Sequence, residues 1–148
     1  MQAVIFIGLP ASGKSSFYKS RFFATHVHIS LDLLKTRHRE RLFLETCLET
    51  DQRFVIDNTN PAASDRARYI EPARNAGYAV VGFYFASKVE DCLRRNAERT
   101  GRERVPDVAI LSAAQRLERP SPAEGFAALY HVSMQDGQFL VGEWEDEV

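Results

Sequence analysis

Short apolar runs alternate along the chain with longer segments whose apolar residues recur at helical spacing. The runs predict strands at 3–7, 27–29, 53–57, 78–84 and 129–133. The periodic segments predict helices at 14–24, 31–50, 61–76, 88–99 and about 106–118. This alternation of strands and helices is typical of a parallel sheet that carries helices on both faces.

Two details of the pattern refine this expectation. The run at 79–85 is continuously apolar, as in strands that are buried on both faces. The pair Asp136-Gly137 separates two apolar runs and predicts a hairpin that adds one antiparallel strand at the end of the sheet. We therefore expect an α/β fold of three layers, with residues 1–148 forming a single domain. Ligands of such sheets bind where the strands end.

The segment between the first strand and the first helix carries the strongest chemical signal. Residues 8–15 read Gly-Leu-Pro-Ala-Ser-Gly-Lys-Ser, which is the P-loop pattern in its strand–turn–helix setting. The glycines let backbone N–H groups face a phosphate, and the following helix adds the positive end of its dipole. Lys14 can reach the β- and γ-phosphates, and the Ser15 hydroxyl can bind Mg²⁺. The residues expected to bind a nucleoside triphosphate are Gly8, Ala11, Ser12, Gly13, Lys14, Ser15 and Ser16.

Asp32 follows the second predicted strand, beside the position where a P-loop would hold a γ-phosphate. A carboxylate in line with that phosphate can accept the proton of an attacking alcohol. A structural role fits the local sequence equally well, because Ser30 or Asp32 could cap the helix that follows. The local sequence leaves both roles open.

The third predicted strand ends in four polar residues, Asp57-Asn58-Thr59-Asn60, followed by Pro61. A carboxylate at the end of an apolar strand can hold Mg²⁺ or one of its waters, so we expect Ser15 and Asp57 to form the metal site. Thr59 could contact a phosphate or the acceptor. Asn60 could do the same, or it could begin a helix with Pro61 as the first helical residue.

An arginine-rich segment follows the fourth predicted strand. Arg95 and Arg99 lie four residues apart and share a helix face, and Gly101 is expected to break that helix. Residues 95–106 are therefore expected to form a mobile lid that excludes water and brings cations to the transferred phosphate. The alternative is a surface helix whose arginines pair with the nearby acidic residues Glu90, Asp91, Glu98 and Glu103.

Composition narrows the class of protein further. The net charge of −1 argues against a protein that coats nucleic acid, although local basic clusters can attract an anionic substrate. No apolar run approaches a membrane span, and Cys47 and Cys92 have no metal or redox spacing. We expect a cytoplasmic protein, monomeric because no long apolar stripe is left over. The basic clusters are Lys35, Arg37, His38, Arg39 and Arg41, and then Arg94, Arg95, Arg99, Arg102 and Arg104.

Several of these segments are particular enough to indicate a family. Besides the P-loop they are 29–32 (Ile-Ser-Leu-Asp), 57–61 with its continuation at 64–69, 95–99, 105–106, and 122–126 (Pro-Ala-Glu-Gly-Phe). Together they resemble the kinase domain of the 5′-hydroxyl polynucleotide kinases, within the zeta-toxin-like P-loop kinases. The resemblance covers roughly residues 3–134, and its most specific parts are 57–61 and 122–126.

The resemblance implies an activity and a set of roles. ATP would be the phosphoryl donor, Mg²⁺ the cofactor, and the 5′-hydroxyl end of DNA or RNA the acceptor. Asp32 matches the general base of the family, and Arg99 matches the lid arginine that stabilises the transition state, with Arg95 as its neighbour. Asp57, Thr59 and Asn60 match a strand-end motif that activity requires.

Some positions depart from the family pattern. Ser30-Leu31-Asp32 stands where the family often has Asn-Arg-Asp, and Lys35, Arg37 or Arg39 could supply the missing substrate-binding charge. The chain lacks the Asp-x-Asp-Gly-Thr pattern of a fused phosphatase, so no action on 3′ phosphates is expected. Small relatives phosphorylate sugars, nucleosides, antibiotics or nucleotide-sugars, which makes a small-molecule alcohol the alternative acceptor. A non-enzymatic nucleotide-binding module is a third possibility, but it would need neither Asp32 nor Arg99.

Overall fold

A six-stranded sheet organises the protein. The computed structural model describes residues 1–86 and 88–145, and the Arg102 side chain lies outside the described part. The strands are β1 (Gln2–Ile7), β2 (Val27–Ile29), β3 (Phe54–Asp57), β4 (Ala79–Phe85), β5 (Ala128–Gln135) and β6 (Gln138–Glu143). The helices are α1 (Lys14–Arg21), α2 (Leu31–Leu34), α3 (Arg37–Glu49), α4 (Ala63–Asn75), α5 (Val89–Glu98) and α6 (Asp107–Arg116). Short 3₁₀ turns occupy Gly101–Glu103 and Pro122–Glu124.

The strand order is β2-β3-β1-β4-β5-β6, which confirms the predicted parallel sheet with an added hairpin strand. The first five strands run parallel, and β6 runs antiparallel to β5. In this register Phe6 of β1 lies beside Asp57 of β3. The P-loop that follows β1 and the polar segment that follows β3 therefore leave the same edge of the sheet side by side.

The central strand β1 is apolar throughout because it is buried on both faces. Ala3, Ile5 and Ile7 point into a core that includes residues of α3 and α4. Val4 and Phe6 point to the other face and pack with residues of α1. Neighbouring strands add to each core, so helices cover the two faces of the sheet as the apolar pattern predicted.

The predicted helix at 31–50 is wrong as a single element. Lys35 has a φ of +76°, which ends α2 after one turn. Thr36 then caps α3, because its side chain accepts a hydrogen bond from the Arg39 N–H at 3.1 Å. The periodic pattern continued across this break because apolar residues on both sides face the same core. None of the helices in the described ranges is long and apolar enough to cross a membrane.

Candidate active site

The P-loop adopts a conformation that only some residues tolerate. Ala11 and Gly13 have φ values of +65° and +98°, and Gly13 is the residue from which α1 begins. A Cβ at Gly8 would lie 2.9 Å from both the Phe85 Cβ and the Ser12 Oγ. Successive turns of this kind direct backbone N–H groups into a common concavity, which suits an anion. The loop is fixed to the β3 end, because the Gly8 N–H donates to the Thr59 carbonyl at 3.0 Å.

Lys14 is folded into the concavity of its own loop. Its Nζ donates to the carbonyl oxygens of Gly8 and Leu9 at 3.0 and 2.7 Å. Burial lowers the pKa of Lys14 to about 8, and the nearby Asp57 carboxylate opposes this shift. The ammonium group thus occupies a site where its charge is only partly compensated, and a bound phosphate would supply the missing negative charge.

Ser15 and Asp57 meet beside this loop. The Ser15 Oγ donates to the Asp57 Oδ2 at 2.9 Å, and the His28 Nε2 lies 2.8 Å from the same oxygen. Asp57 is buried, whereas Ser15 is exposed. The His28 ring stacks on Tyr18 at a centroid distance of 4.0 Å, which fixes its orientation. Sequence reasoning missed His28, and the available signal was a polar residue inside a three-residue strand.

A cleft of about 470 Å³ opens above these groups. Asp32 reaches it from α2, and Arg99 reaches it from the end of α5. Asp32 is exposed and makes no hydrogen bond or ion pair with another described residue. The predicted site residues that line the cleft are Ala11, Gly13, Lys14, Ser15, Asp32, Arg37, Asp57, Thr59, Asn60 and Arg99. Gly8, Ser12, Ser16, Lys35 and Arg95 are not among its lining residues.

The two arginines of the predicted lid make different contacts. The Arg95 Nη1 donates to the Ala11 carbonyl at 3.1 Å and so ties α5 to the P-loop. The Arg99 Nη1 donates to the Glu103 carbonyl at 3.1 Å, within the loop that follows the helix. Helix α5 ends at Glu98, three residues before Gly101, where the break was predicted. The alternative was a surface helix whose arginines pair with acidic residues. Arg94 fits that alternative, because its Nη2 lies 3.1 Å from the Asp91 Oδ1.

The residues after β3 act partly as structural links. The Asn60 Nδ2 donates to the Phe6 carbonyl at 2.8 Å, and Asn60 has a φ of +46°. Helix α4 begins only at Ala63, so Asn60 does not cap a helix and Pro61 is not its first residue. The capping hypothesis for Asn60 is therefore wrong, because its amide joins β1 to the β3 loop instead.

Neither proposed cap of α2 is used. Ser30 occupies the N-cap position without a side-chain hydrogen bond, and Asp32 faces the cleft. The cap comes from Asn58, whose Oδ1 accepts from the Leu31 N–H at 2.9 Å. Of the residues expected to bind substrate, Arg37 is held by Glu40 and Tyr69, and Lys35 is exposed outside the cleft lining.

Helix α6 supplies a wall of the cleft that sequence reasoning did not assign. Ala109, Ser112, Ala113 and Arg116 line it. The Arg116 Nη2 lies 3.1 Å from the Asp65 Oδ2, which also lines the cleft. The helix was predicted, but its periodicity does not say which residues would face a ligand.

The segment at 122–126 turns out to brace the β3 loop from behind. Arg66 is fully buried and pairs with Glu124 through two hydrogen bonds of 2.8 and 3.1 Å. The Arg66 Nη1 donates to the carbonyls of Asn60 and Pro61. A Cβ at Gly125 would lie 2.9 Å from the Ile70 Cγ2. These motif residues hold the loop in place and do not themselves reach the cleft.

Comparisons with known proteins agree with this geometry. A family model described as an AAA domain matches residues 4–120. The chain is 27% identical over 135 residues to a bifunctional polynucleotide phosphatase/kinase of Schizosaccharomyces pombe, which covers 88% of this chain. The chain spans about a third (33%) of that relative's length.

Two solved structures share the fold. Kti12 of Chaetomium thermophilum, in complex with ADP-AlF3, has a TM-score of 0.66 at 19% identity and covers 90% of each chain. A gluconokinase from Sinorhizobium meliloti has a TM-score of 0.62 at 20% identity and covers 89% of this chain and 82% of its own. The P-loop, the sheet order and the family match lead to one assignment: this chain belongs to the AAA domain family, and its fold is that of the P-loop kinases, as the sequence predicted.

Proposed function

We propose that this protein is an ATP-dependent kinase that transfers the γ-phosphoryl group to the 5′-hydroxyl of DNA or RNA. The observation that carries the proposal is that Asp32 and Arg99, from separate elements, line the same cleft as Lys14. A module that only bound nucleotide would need neither group. The polynucleotide phosphatase/kinase named among its relatives supports a nucleic-acid acceptor.

In this mechanism Asp32 is the general base. Its exposed carboxylate makes no hydrogen bond or ion pair with a described residue, so both oxygens can accept a proton from an incoming hydroxyl. The hydroxyl oxygen would attack the γ-phosphorus as the bond to the β,γ-bridging oxygen breaks, and ADP would leave. A base placed in this way contributes roughly 10²–10⁴ to the rate.

The basic side chains of the site would have separate roles. Lys14 would exchange the carbonyls of Gly8 and Leu9 for phosphate oxygens. Arg99 would bind the charge that develops on the transferred group, which is worth roughly 10³–10⁵ in rate for an arginine of this kind. Arg95 would act indirectly, because its contact with the Ala11 carbonyl holds the lid against the P-loop. The segment at 95–106 would then close over the bound nucleotide.

The residues at the base of the cleft fit Mg²⁺. The Ser15 hydroxyl and the Asp57 carboxylate lie 2.9 Å apart, and both offer the oxygen ligands that this ion prefers. Bound there with the phosphates, Mg²⁺ would neutralise part of their charge. His28 would keep the Asp57 carboxylate oriented toward the ion through the contact at 2.8 Å.

A small-molecule alcohol is the second candidate acceptor, and one observation favours it. The basic residues near Asp32 are largely engaged within the protein. The Arg37 Nη1 donates to Glu40 and Tyr69, and the Arg39 Nη1 donates to the Leu34 carbonyl at 3.3 Å. A sugar or nucleoside would not require these cations, whereas a nucleic-acid strand would need them to be released.

A transfer assay with γ-labelled ATP separates the two candidates. DNA and RNA oligonucleotides with 5′-hydroxyl ends compete with a panel of sugars and nucleosides, and 5′-phosphorylated oligonucleotides serve as the control. We expect label on the 5′ ends and an affinity for the strand that falls as salt rises. Transfer only to a small alcohol would overturn the nucleic-acid proposal and leave the kinase mechanism in place.

The cellular location and the oligomeric state of the protein are a separate proposal. We infer that the protein acts in the cytoplasm, where a buried thiol such as Cys47 stays reduced, and that it is a monomer, because the sequence leaves no long apolar stripe over. Light scattering coupled to size-exclusion chromatography tests the oligomeric state, and a mass that corresponds to a dimer at working concentration would overturn it.

A further inference from the structure

Helix α2, the shortest α-helix among the described residues, carries the proposed general base and is too short to be stable without contacts to other elements. Helix α2 has four residues, Leu31–Leu34, which is a single turn. Isolated helices of this length are unstable, because the first turn fixes several residues for one hydrogen bond. The position of Asp32 therefore depends on the groups that hold the two ends of α2.

Each end of α2 is held by a side chain from another element. At the beginning, the Asn58 Oδ1 accepts from the Leu31 N–H at 2.9 Å. At the end, the Arg39 Nη1 donates to the Leu34 carbonyl at 3.3 Å. Of the two contacts, the one to Leu31 is the shorter and lies one residue from Asp32.

The orientation of the Asn58 amide is imposed from behind. Its Nδ2 donates to the Glu40 Oε2 at 2.8 Å and to the Tyr69 hydroxyl at 3.2 Å. Glu40 is a buried carboxylate, 2% exposed, and an ionised carboxylate can only accept hydrogen bonds. Glu40 needs a hydrogen-bond donor, which is the amide nitrogen of Asn58. The amide oxygen of Asn58 therefore faces the Leu31 N–H.

The other Glu40 oxygen, Oε1, also accepts hydrogen bonds. The Glu40 Oε1 accepts from the Tyr69 hydroxyl at 2.9 Å and from the Arg37 Nη1 at 3.0 Å. Burial, and after it the Glu40 charge, raises the pKa of Tyr69, so this hydroxyl remains a donor at neutral pH. A buried charge is costly unless its hydrogen bonds are satisfied, and here three groups satisfy it. Glu40 and Tyr69 do not line the cleft, so neither can touch a substrate there.

We infer that Glu40 is a positioning residue: through Asn58 it fixes the turn that places Asp32 in the cleft. The inference deepens the proposed kinase function and rests on Asp32 being its general base. It assigns a task to a buried carboxylate on α3 and to the hydroxyl of Tyr69 on α4, whose ring packs in the core.

The test uses three substitutions and two matched controls. Glu40→Gln removes the charge and allows the new amide to donate as well as accept, so it no longer imposes the Asn58 orientation. Asn58→Ala removes the cap itself, and Tyr69→Phe removes one hydroxyl while keeping the ring. The controls are Glu45→Gln, an exposed position on the same helix, and Tyr78→Phe, a buried tyrosine that donates to the Cys47 and Gln52 carbonyls.

The expected kinetic result is a split between kcat and ATP affinity. Phosphoryl transfer to the alcohol should fall about 10²-fold in Asn58→Ala and about tenfold in Glu40→Gln, because small displacements of a reacting group cost this much. Tyr69→Phe should show a smaller loss. ATP affinity and the slow hydrolysis of ATP by water should stay unchanged in Glu40→Gln and Tyr69→Phe, because neither residue lines the cleft. Both controls should match the unsubstituted protein.

A double-mutant cycle identifies the route of the effect. If Glu40 acts through Asn58, then Glu40→Gln should add almost nothing to Asn58→Ala. Additive losses would overturn the inference, as would a Glu40→Gln variant that folds and keeps its full kcat. A joint loss of kcat and ATP affinity would overturn it as well, because that pattern reports general damage. If Glu40→Gln does not fold, Tyr69→Phe against Tyr78→Phe decides the question.

Hydrogen exchange tests the inference without an activity measurement. Amides of the 31–34 segment should exchange faster in Glu40→Gln and Asn58→Ala than in the Glu45→Gln control, while those of β1 stay protected. Unchanged exchange at 31–34 in both variants would overturn the positioning role. If the unsubstituted protein transfers phosphate to no oligonucleotide, the proposed function fails while this measurement still decides the role of Glu40.

Discussion

Asp32 and Asp57 lie at the ends of neighbouring parallel strands, yet their surroundings are opposite. Asp57 is buried, and one of its oxygens receives both the Ser15 hydroxyl and His28. Asp32 is exposed, and no described side chain pairs with it. A carboxylate surrounded by fixed donors is suited to hold a cation in one place, whereas a carboxylate that faces open space can take up a proton. In the proposed mechanism, this difference would separate the side of the cleft that binds the metal from the side that binds the acceptor.

The largest expected effect comes from Arg99, which lines the cleft together with Asp32. Arg99→Ala should lower kcat by roughly 10³–10⁵, because it removes the cation that would meet the charge of the transition state. ATP affinity should change little. Single-turnover kinetics with labelled ATP measure this, with Arg94→Ala, an arginine that contacts Asp91, as the control. A loss below tenfold would show that Arg99 has no part in the chemistry.

Replacing each aspartate by asparagine tests the comparison directly. Asp32→Asn should lose roughly 10²–10⁴ in kcat and keep its Mg²⁺-dependent ATP affinity, because only the base is removed. Asp57→Asn should instead lose the Mg²⁺ dependence of ATP binding. Calorimetric titration of ATP with and without Mg²⁺ distinguishes the two. The assignment fails if Asp32→Asn retains near-normal turnover.

A smaller effect is expected at His28. His28→Ala should weaken the Mg²⁺ dependence of ATP binding by about 10- to 100-fold, since a partner that orients a metal-binding carboxylate contributes this much. His28→Gln retains a donor and should recover part of the loss. The readout is Mn²⁺ binding to the ATP complex. Equal Mn²⁺ affinities for all three proteins would show that Asp57 needs no such support.

The smallest effect is a pH dependence that belongs to the P-loop and not to either aspartate. The pKa of Lys14 is lowered to about 8 by burial, so the group begins to lose its charge as pH rises through that value. The charged form binds phosphate, so ATP affinity should be full below pH 7 and fall above pH 8, by at most about tenfold per pH unit. Equilibrium titrations at several pH values measure this. Lys14→Arg should bind without this dependence, because arginine keeps its proton.

The sequence was most informative where structure and chemistry are local. Strands β1 and β3 were visible because both faces of each are buried, and the P-loop was visible because its glycines serve a backbone conformation. The end of α2 at Lys35 could not be predicted, because nothing in the periodicity of 31–50 distinguishes one helix from two. The roles of Glu40, Asn58 and His28 depend on contacts between elements far apart in the chain. The cleft wall formed by α6 also depends on such contacts. Its helical pattern predicts the helix but not which face lines the cleft.

One contact of the P-loop bears on how the protein is made. Gly13 lies against Met134 and Phe139 of the C-terminal hairpin, so closely that an added Cβ would sit 3.0 Å from the Met134 Cε. The P-loop leaves the ribosome well before the hairpin that supports it, because it precedes β5 and β6 in the chain. A nascent chain would therefore expose an unsupported P-loop until the hairpin has emerged. ATP would gain its full binding site only after β5 and β6 have been translated.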